Sequence, residues 1–277
     1  MTGASFPALR RARPPVIIIG AHRSGTTATA QALKLLGLQL GERLDSHEEP
    51  REMQRLHENY LGELGAAWHD PTPFLTSIQT AAGKRACVNY LEQHLKNLAV
   101  FGYRNSLTAW RLKRRLRSGV IWGWKEPRTT LFANCWLELF PEARILHVVR
   151  NPLAVAASIQ KRELEFQAKG DAPSGRVQDF DYGVELAMQY VETGEATADQ
   201  AQHYRRVKFE DLQADPVGEL RGLATFCDIH FTDQEMQRAA ATIRPAKPDS
   251  PQWASEQQSL LTKYPVAQKL GYTADAA

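Results

Sequence analysis

A run of four β-branched residues followed by a glycine-rich turn is the feature that most restricts the fold of this chain. The run is Val16–Ile19, and it lies between two prolines and Gly20 in the stretch PPVIIIGAHRSGTTATAQAL. A short apolar run bounded by turn residues is typical of a strand that is buried on both faces of a parallel sheet. From Thr26 to Leu36, alanine and leucine recur at helical spacing, which predicts a helix that ends near Gly37. The stretch therefore predicts a strand, a tight turn and a helix in direct succession.

Later segments predict further strands and helices in alternation. Strands are expected at 119–124, 144–149 and 206–209, and helical patterns occupy 48–65, 85–117 and 180–203. This alternation predicts βαβ units and a mainly parallel central sheet. We therefore expect one α/β domain over residues 16–277, of the P-loop type with three layers (α/β/α), preceded by a disordered lead-in at residues 1–15. The polar stretch at 169–179 is expected to be a flexible surface loop.

Composition limits the class of protein. The 277 residues carry a formal net charge of +3, with 43% hydrophobic and 23% charged residues. This balance is that of a globular protein and excludes a polycation that binds nucleic acid non-specifically. Cys87, Cys135 and Cys227 lie far apart and predict neither a disulfide framework nor a metal site. No apolar run approaches the roughly 18 residues of a membrane-spanning helix. Together with the cysteine usage, this leads us to expect a cytoplasmic protein, and we expect no metal.

The turn after the first strand is similar to a phosphate-binding loop that has lost its lysine. The two glycines of GAHRSGTT have the separation of the pattern GxxxxGK[ST], and Thr27 matches the final hydroxyl residue, but Thr26 stands at the lysine position. The backbone N–H groups of such a turn, together with the helix N-terminus, still attract an anion. His22 and Arg23 can supply positive charge from within the turn. The alternative is a turn that needs glycine for its geometry alone.

A second group of polar residues follows the strand expected at 144–149. Arg150 comes directly after that strand, where a Walker-type enzyme would carry an aspartate that helps to hold Mg²⁺. Ser158 lies about two turns along the next helical pattern, and Arg162 lies a further turn along the same face. Two cations and a hydroxyl group at this spacing predict a cradle, that is, a binding site that holds an anion without the help of a metal ion. Together with the first loop, this cradle suits one ligand that carries two anionic groups.

These two segments resemble the donor-binding segments of sulfotransferases that use 3′-phosphoadenosine 5′-phosphosulfate (PAPS). The similar segments are HRSGTT at 22–27 and VVRNPLAVAAS at 148–158, and RVKFEDLQADPVGELRGLATFCDI at 206–229 is similar to a further segment of that family. The RSGTT sequence is closer to the tyrosylprotein and bacterial carbohydrate-type branch than to the cytosolic branch, and Arg162 matches an extra arginine of the tyrosylprotein enzymes. Phe209 departs from the tyrosine that is usual at its position.

The resemblance assigns roles to the residues of both segments. It implies that PAPS, and the product adenosine 3′,5′-bisphosphate, bind through their 5′ end to the first loop and through their 3′-phosphate to the second segment. Arg23, His22 and Arg162 are expected to add positive charge around the donor. The predicted donor-binding residues are His22, Arg23, Ser24, Gly25, Thr26, Thr27, Arg150, Ser158 and Arg162.

Lys125 is the predicted cation at the group that is transferred. It follows the apolar stretch GVIWGW and precedes Pro127, so it should emerge at the carboxyl edge of the sheet, where ligands bind in open α/β folds. The resemblance implies that it contacts the sulfonyl group, as a similarly placed lysine does in tyrosylprotein sulfotransferases. With Arg23, it would neutralise the charge that builds on the bridging oxygen as the sulfur–oxygen bond breaks. The alternative is a solvated pair of Lys125 and Glu126 at a strand end.

Sulfonyl transfer also requires a base that takes the proton of the acceptor hydroxyl. The acidic turn GERLDSHEEPREM at 41–53 lies where related enzymes place a glutamate. We predict Glu48 as this base, with Glu49, Glu42 and His47 as alternatives. An exposed acidic turn without a catalytic role is the remaining alternative.

The acceptor is predicted to be a hydroxyl of a carbohydrate, a glycolipid or a small metabolite, in a pocket formed by the extra helices of 48–118 and 163–203. Five basic residues at 111–117 are interpreted as a solvated helix face, with attraction of an acidic acceptor or peripheral contact with a membrane surface as the alternative. The rival functions are a P-loop kinase and a nucleotide-binding module without catalysis. The missing lysine disfavours the kinase, and Lys125 beside acidic residues disfavours the module.

Overall fold

Four parallel strands form the central sheet of the described part of the chain. The computed structural model describes residues 13–41, 43–95, 119–170, 172, 174–245 and 253–273. The strands are β1 (Val16–Ile19), β2 (Gly123–Lys125), β3 (Arg144–Val149) and β4 (His203–Lys208), in the order β2-β1-β3-β4. Because every neighbouring pair is parallel, the carboxyl ends of all four strands lie along one edge of the sheet.

Helices cover both faces of this sheet and form a three-layer α/β/α arrangement. In chain order they are α1 (Thr26–Leu35), α2 (Arg51–Glu63), α3 (Thr72–Ile78), α4 (Ala81–His94), α5 (Thr129–Leu139), α6 (Pro152–Gln167), α7 (Phe180–Thr197), α8 (Phe209–Ala214), α9 (Pro216–Cys227), α10 (Asp233–Ala240), α11 (Ser255–Ser259) and α12 (Pro265–Lys269). Among the described helices, none is long and apolar enough to cross a membrane.

The strand β1 contributes to two hydrophobic cores because successive side chains of a strand point to opposite faces. Ile17 and Ile19 pack with apolar residues of α2, α4, α5 and α7. Val16 and Ile18 pack on the other face with α1, α9 and α10. All four side chains are fully buried, and each contributes about 1.5–3 kcal/mol of hydrophobic free energy relative to exposure. The strand that precedes the glycine-rich turn is therefore held firmly on both sides.

The predicted order of elements is confirmed, and the bounds of two strands differ from the prediction. β1 and β3 have the predicted bounds, whereas β2 begins at Gly123 rather than at residue 119. β4 runs from residue 203 to 208 instead of 206–209, and Phe209 begins α8. The apolar pattern misses the start of β4 because this strand lies at the edge of the sheet, where its polar residues remain partly exposed.

The helices also differ from their predicted ranges. α2 begins at Arg51 because Pro50 takes the N-cap position, and α7 ends at Thr197 because the chain soon enters β4. Of the helical range 85–117, the described part is α4, which begins at Ala81, while 96–118 lies outside the described residues. The described residues of 169–179 form turns and irregular chain. α3 and α5 were not predicted, and α5 is buried on nearly all sides, so it lacks an amphipathic pattern.

The end of the predicted lead-in contacts the body of the molecule. Residues 1–12 lie outside the described residues, but Arg13 and Pro15 are described. The Trp122 indole N–H donates to the Arg13 carbonyl at 2.7 Å, and the Arg144 backbone N–H donates to the Pro15 carbonyl at 2.9 Å. The Arg13 side chain pairs with Asp228. The chain is therefore anchored to β3 and to the Trp122 side chain immediately before β1 begins.

Candidate functional site

The turn between β1 and α1 requires glycine at two positions. Gly20 has φ +148° and Gly25 has φ +99°, a region that L-residues rarely adopt. A Cβ at Gly20 would overlap the Val148 carbonyl oxygen, and a Cβ at Gly25 would overlap the Phe209 ring. Gly25 is also the N-cap of α1, and no side chain caps the N–H groups of its first turn. The glycines therefore let the backbone turn tightly and leave those N–H groups uncapped by protein side chains.

The substitution Gly25→Ala is expected to lower the free energy of unfolding by about 2 kcal/mol or more, because it adds backbone strain and an overlap with Phe209. Urea denaturation measures this effect. Gly37→Ala is the matched control, since Gly37 also has a positive φ, of +115°, but a Cβ there meets no atom within 4 Å. An equal loss for both variants would contradict a role for the overlap. In a Phe209→Ala background, the further loss caused by Gly25→Ala should be smaller than in the wild type, because the overlapping ring is absent.

A hydroxyl group of α5 fixes the start of the turn. The Gly20 backbone N–H donates to Thr130 Oγ1 at 2.8 Å, and the Thr130 hydroxyl is 3.1 Å from the Gly20 carbonyl oxygen. Ser24 is buried, and its hydroxyl donates to the Ala21 carbonyl at 2.8 Å within the turn. Thr26, the first residue of α1, is buried as well. These bonds hold the turn in one conformation. No pattern in the sequence indicates this role of Thr130.

Three of the predicted donor residues come together next to this turn. Arg23 Nε donates to Ser158 Oγ at 3.0 Å, and an Arg150 guanidinium N–H donates to the Arg23 carbonyl at 3.2 Å. The turn, the end of β3 and the helix α6 each supply one of these residues. The Arg150 guanidinium also lies 5.6 Å from the centre of the Phe209 ring. Arg150 and Ser158, which the sequence groups in one site, thus both contact Arg23 of the turn.

The two arginines of this cluster have no ion-pair partner among the described residues. In the described part of the chain, neither Arg23 nor Arg150 forms an ion pair with an acidic side chain. Partial burial, followed by the charges of Arg162 and Arg150, lowers the pKa of Arg23, and the charge of Glu165 opposes this shift only in part. Cations that repel one another in this way create a region of positive potential, which attracts a polyanion.

Lys125 and Glu49 form a buried ion pair beside the turn. Lys125 Nζ lies 2.7 Å from Glu49 Oε1 and donates to the Thr27 hydroxyl at 3.2 Å. The Lys125 side chain is fully buried, and that of Glu49 is 9% exposed. Burial raises the pKa of Glu49, and the charge of Glu126 adds to this effect, while Lys125 and a bond from Gln54 oppose it. A buried cation, a carboxylate with a raised pKa and the turn between β1 and α1 therefore lie in contact.

The acidic turn directs its two neighbouring glutamates to different partners. Asp45 Oδ1 accepts the backbone N–H groups of His47 and Glu49, and Glu48 between them has φ +63°. The Glu48 carboxylate consequently accepts from Lys34 of α1 at 2.6 Å, whereas that of Glu49 reaches Lys125. His47 is exposed and contacts Thr27 through its carbonyl, at 3.4 Å. Glu42 lies outside the described residues.

His22 and Arg162 contact a different set of residues from the cluster of Arg23, Arg150 and Ser158. The His22 ring lies 4.6 Å from the Trp68 ring and 6.0 Å from the Tyr190 ring, measured between centroids. Burial, followed by the charge of Arg128, holds the pKa of His22 well below its usual range, so the ring is neutral near pH 7 rather than the expected cation. Arg162 lies 5.0 Å above the Trp68 ring and donates to Glu163 at 3.0 Å.

A buried network lies behind Lys125. Glu126 Oε2 is 2.6 Å from His57 Nδ1, and Glu126 Oε1 accepts from Arg128 at 2.7 Å. Arg128 also donates to Glu58 at 2.6 Å. Burial alone would raise the pKa of Glu126, but Arg128 and His57 outweigh it and hold that pKa far below its usual range. The alternative of a solvated Lys125–Glu126 pair is therefore excluded, since both side chains are fully buried with separate partners.

The family model described as "Sulfotransferase family" matches residues 14–233. The chain belongs to the sulfotransferase family. No curated protein sequence matches the chain significantly. The matched range includes the turn, the Lys125–Glu49 pair and the cluster of Arg23, Arg150 and Ser158.

Solved sulfotransferase structures share the fold of this sulfotransferase. The sulfotransferase domain from the Synechococcus PCC 7002 olefin synthase is 17% identical, with a TM-score of 0.50 over 95% of this chain and 96% of that one. The sulfotransferase domain from the curacin biosynthetic pathway is 15% identical, with a TM-score of 0.51 over 94% and 99%. A sulfotransferase from Alicyclobacillus acidocaldarius is 15% identical, with a TM-score of 0.51 over 94% of each chain.

Proposed function

We propose that this sulfotransferase moves a sulfonyl group from PAPS to a hydroxyl of a carbohydrate, a glycolipid or a small metabolite. The observation that carries this proposal is the contact of Arg23, Arg150 and Ser158 at the carboxyl edge of the sheet. Two arginines that form no ion pair among the described residues lie beside a turn whose backbone N–H groups can bind an anion. This arrangement fits a ligand with anionic groups at two separate positions. PAPS has such groups at its 5′ and 3′ positions.

The donor site is proposed to consist of two parts that meet at Arg23. The uncapped N–H groups at the start of α1, with Ser24, Gly25, Thr26 and Thr27, would hold the 5′-phosphosulfate. Arg150 and Ser158 would hold the 3′-phosphate through charge-assisted hydrogen bonds. Arg23 links the two parts, since it directly precedes Ser24 in the turn, its side chain reaches Ser158 and its carbonyl accepts from Arg150.

The bound donor supplies an activated sulfonyl group and a stable anionic leaving group. In the reaction, the acceptor oxygen forms a bond to sulfur as the bond from sulfur to the bridging oxygen breaks, and the acceptor proton passes to a base. Lys125 Nζ lies within 3.2 Å of a loop hydroxyl and within 2.7 Å of a carboxylate. We assign it the role of stabilising negative charge on the bridging oxygen, together with Arg23 and the loop N–H groups.

Glu49 is the base that the contacts support best. Its carboxylate lies beside Lys125, and its raised pKa makes it a stronger proton acceptor than an exposed glutamate. Glu48, which the sequence favours, pairs with Lys34 on the side of α1. His47 is exposed, and its ring nitrogen lies 3.2 Å from the Ser46 hydroxyl. Proton transfer to Glu49 would weaken its pairing with Lys125 and free that cation for the leaving group.

Arg150→Ala is expected to weaken the binding of adenosine 3′,5′-bisphosphate by about tenfold or more, since a hydrogen bond to a charged group contributes about 1.5–3 kcal/mol. Titration calorimetry measures this affinity. Arg144→Ala is the matched control because Arg144 begins the same strand at its opposite end, and it should bind like the wild type. Failure of the wild type to bind the nucleotide, or equal binding by both variants, would contradict the proposed donor site.

The acceptor can be found without assuming its class. Incubation of the protein with labelled PAPS and a cell extract, followed by mass spectrometry, should identify a molecule that gains one sulfo group at a hydroxyl. The Lys125→Met variant is the control for background transfer. Magnesium-dependent turnover of ATP would favour the kinase instead, and nucleotide binding without any transfer would favour the binding module.

A further inference from the structure

The helix α2 is attached to the end of β2 at two places. Glu49, two residues before α2, binds Lys125, and His57 within α2 binds Glu126, the next residue along the chain. We propose that His57 is a positioning residue, which fixes α2 through Glu126 and so holds Glu49 against Lys125 for sulfonyl transfer. This inference rests on the proposed function of the Glu49–Lys125 pair.

The hydrogen bonds of His57 select one form of its ring. The Trp136 indole N–H is a donor and lies 3.1 Å from His57 Nε2, so Nε2 is the acceptor. The ring proton is therefore assigned to Nδ1, which donates to Glu126 Oε2 at 2.6 Å. The side chains of His57, Glu126 and Trp136 are all fully buried. A buried carboxylate without its donor is strongly unfavourable, so the contact between α2 and Glu126 is held tightly.

Two contacts join α2 to the segment after β2, and the one between His57 and Glu126 is the stronger because it is fully buried. The neighbouring link joins Glu58 to Arg128 at 2.6 Å, but the Glu58 side chain is 52% exposed. Exposed ion pairs contribute little because water screens them. His57 is eight residues beyond Glu49, about two helical turns, so a shift of α2 at His57 would be transmitted to the base. A displacement of about 1 Å in a catalytic group can lower a rate by about 100-fold.

Two variants of similar size separate positioning from simple loss of a core residue. In His57→Asn, the amide N–H₂ can take the place of Nδ1–H and still donate to Glu126. In His57→Gln, the amide lies farther along the side chain, near Nε2, and faces Trp136 instead. We expect His57→Asn to retain most of the wild-type kcat, and His57→Gln to lose about 100-fold with little change in the KM for PAPS. The probe acceptors are 2-naphthol and N-acetylglucosamine, whichever the wild type uses faster.

A second measurement does not depend on activity. Lys125 is fully buried, so its amine should react slowly with an acetylating reagent in the folded wild type, as measured by mass spectrometry. The same slow reaction is expected for His57→Asn, and a reaction at least tenfold faster is expected for His57→Gln if α2 has moved away from Lys125. His147→Gln is the control, since His147 is also fully buried and is bonded to Tyr204 at 2.7 Å, in a network that includes Glu195. It should lower the melting temperature without exposing Lys125.

The outcomes distinguish this inference from the proposed function. Equal kcat values and equal labelling of Lys125 in His57→Asn and His57→Gln would overturn the positioning role. The proposed function would be overturned if the wild type bound no adenosine 3′,5′-bisphosphate and transferred no sulfonyl group. In that case the acetylation of Lys125 in His57→Asn and His57→Gln would still decide whether His57 holds α2 against Lys125. If neither variant folds, Trp136→Phe removes the donor that selects the ring form and leaves His57 present. In Trp136→Phe, Lys125 should be acetylated faster than in the wild type and kcat should be lower, with both changes smaller than those expected for His57→Gln. Wild-type values of both quantities would contradict the inference.

Discussion

Glu49→Gln is expected to lower kcat by about 10²- to 10⁴-fold, the usual range for loss of a general base. The glutamine carbonyl can still accept the hydrogen bond that Lys125 donates to Glu49 at 2.7 Å, so the contact with Lys125 is kept and the ability to take a proton is lost. The bond that Gln54 donates to the other carboxylate oxygen is lost in this variant. The affinity for adenosine 3′,5′-bisphosphate should remain near that of the wild type, because Arg23, Arg150 and Ser158 are unchanged. Steady-state kinetics with the best acceptor, and calorimetry with the nucleotide, measure these two quantities.

Glu48→Gln is the matched control for this variant. It makes the same chemical change one residue earlier, at a carboxylate that pairs with the partly exposed Lys34. Such a pair contributes at most about 1 kcal/mol to stability. The loss of kcat should be far smaller than for Glu49→Gln. A larger loss for Glu48→Gln would identify Glu48 as the base and would contradict the assignment made from the contacts.

The pH dependence of kcat provides an independent check on the base. Glu49 must be ionised to accept the proton, so activity should fall as pH decreases through the pKa of Glu49. Burial raises that pKa, and the acidic limb of the profile should therefore lie above the usual range for a glutamate. The limb should disappear in Glu49→Gln. A limb in the ordinary range of an exposed carboxyl would indicate a base other than Glu49.

The acidic turn illustrates why the sequence predicts the conformation of the glycine-rich loop after β1 better than the partners of Glu48 and Glu49. The loop is a local structure, in which Gly20 and Gly25 determine the path of the backbone between β1 and α1. The two glutamates are adjacent and chemically identical, so composition and spacing do not separate them. The side chain of Asp45 orders the acidic turn, and the positive φ of Glu48 turns that residue toward α1. No pattern in the sequence indicates this conformation.

Long-range packing explains the remaining differences between expectation and structure. Arg150 and Ser158 follow β3 at a fixed spacing, so their meeting with Arg23 follows from the order of parallel strands. Arg162 lies on the same helix, yet it stacks on Trp68, which a distant segment supplies. His57 likewise meets Glu126 across 69 residues of sequence. Such pairs depend on how α2 and α6 pack on the sheet, and this packing is not encoded in any one segment.

Lys125→Met is expected to affect both catalysis and stability. The variant removes the cation proposed to stabilise the leaving oxygen, which should lower kcat by about 10²- to 10³-fold. It also leaves the buried carboxylate of Glu49 without its cationic partner, and breaking a buried ion pair in this way costs about 3–5 kcal/mol. Urea denaturation at neutral pH measures the second effect. Lys34→Met, which breaks the pair with Glu48, is the matched control and should cost no more than about 1 kcal/mol.

The double variant Lys125→Met/Glu49→Gln separates these two effects. Because it removes both charges, most of the lost stability should return, while kcat should stay at or below the value of the poorer single variant. A double-mutant cycle on the free energy of unfolding should then give a large favourable coupling between Lys125 and Glu49. If the double variant instead regains activity along with stability, the pair serves the fold alone, and the cation and the base must be sought elsewhere around the donor loop. If Lys125→Met unfolds no more easily than Lys34→Met, Glu49 has found another partner, and the pair does not determine the geometry of the site.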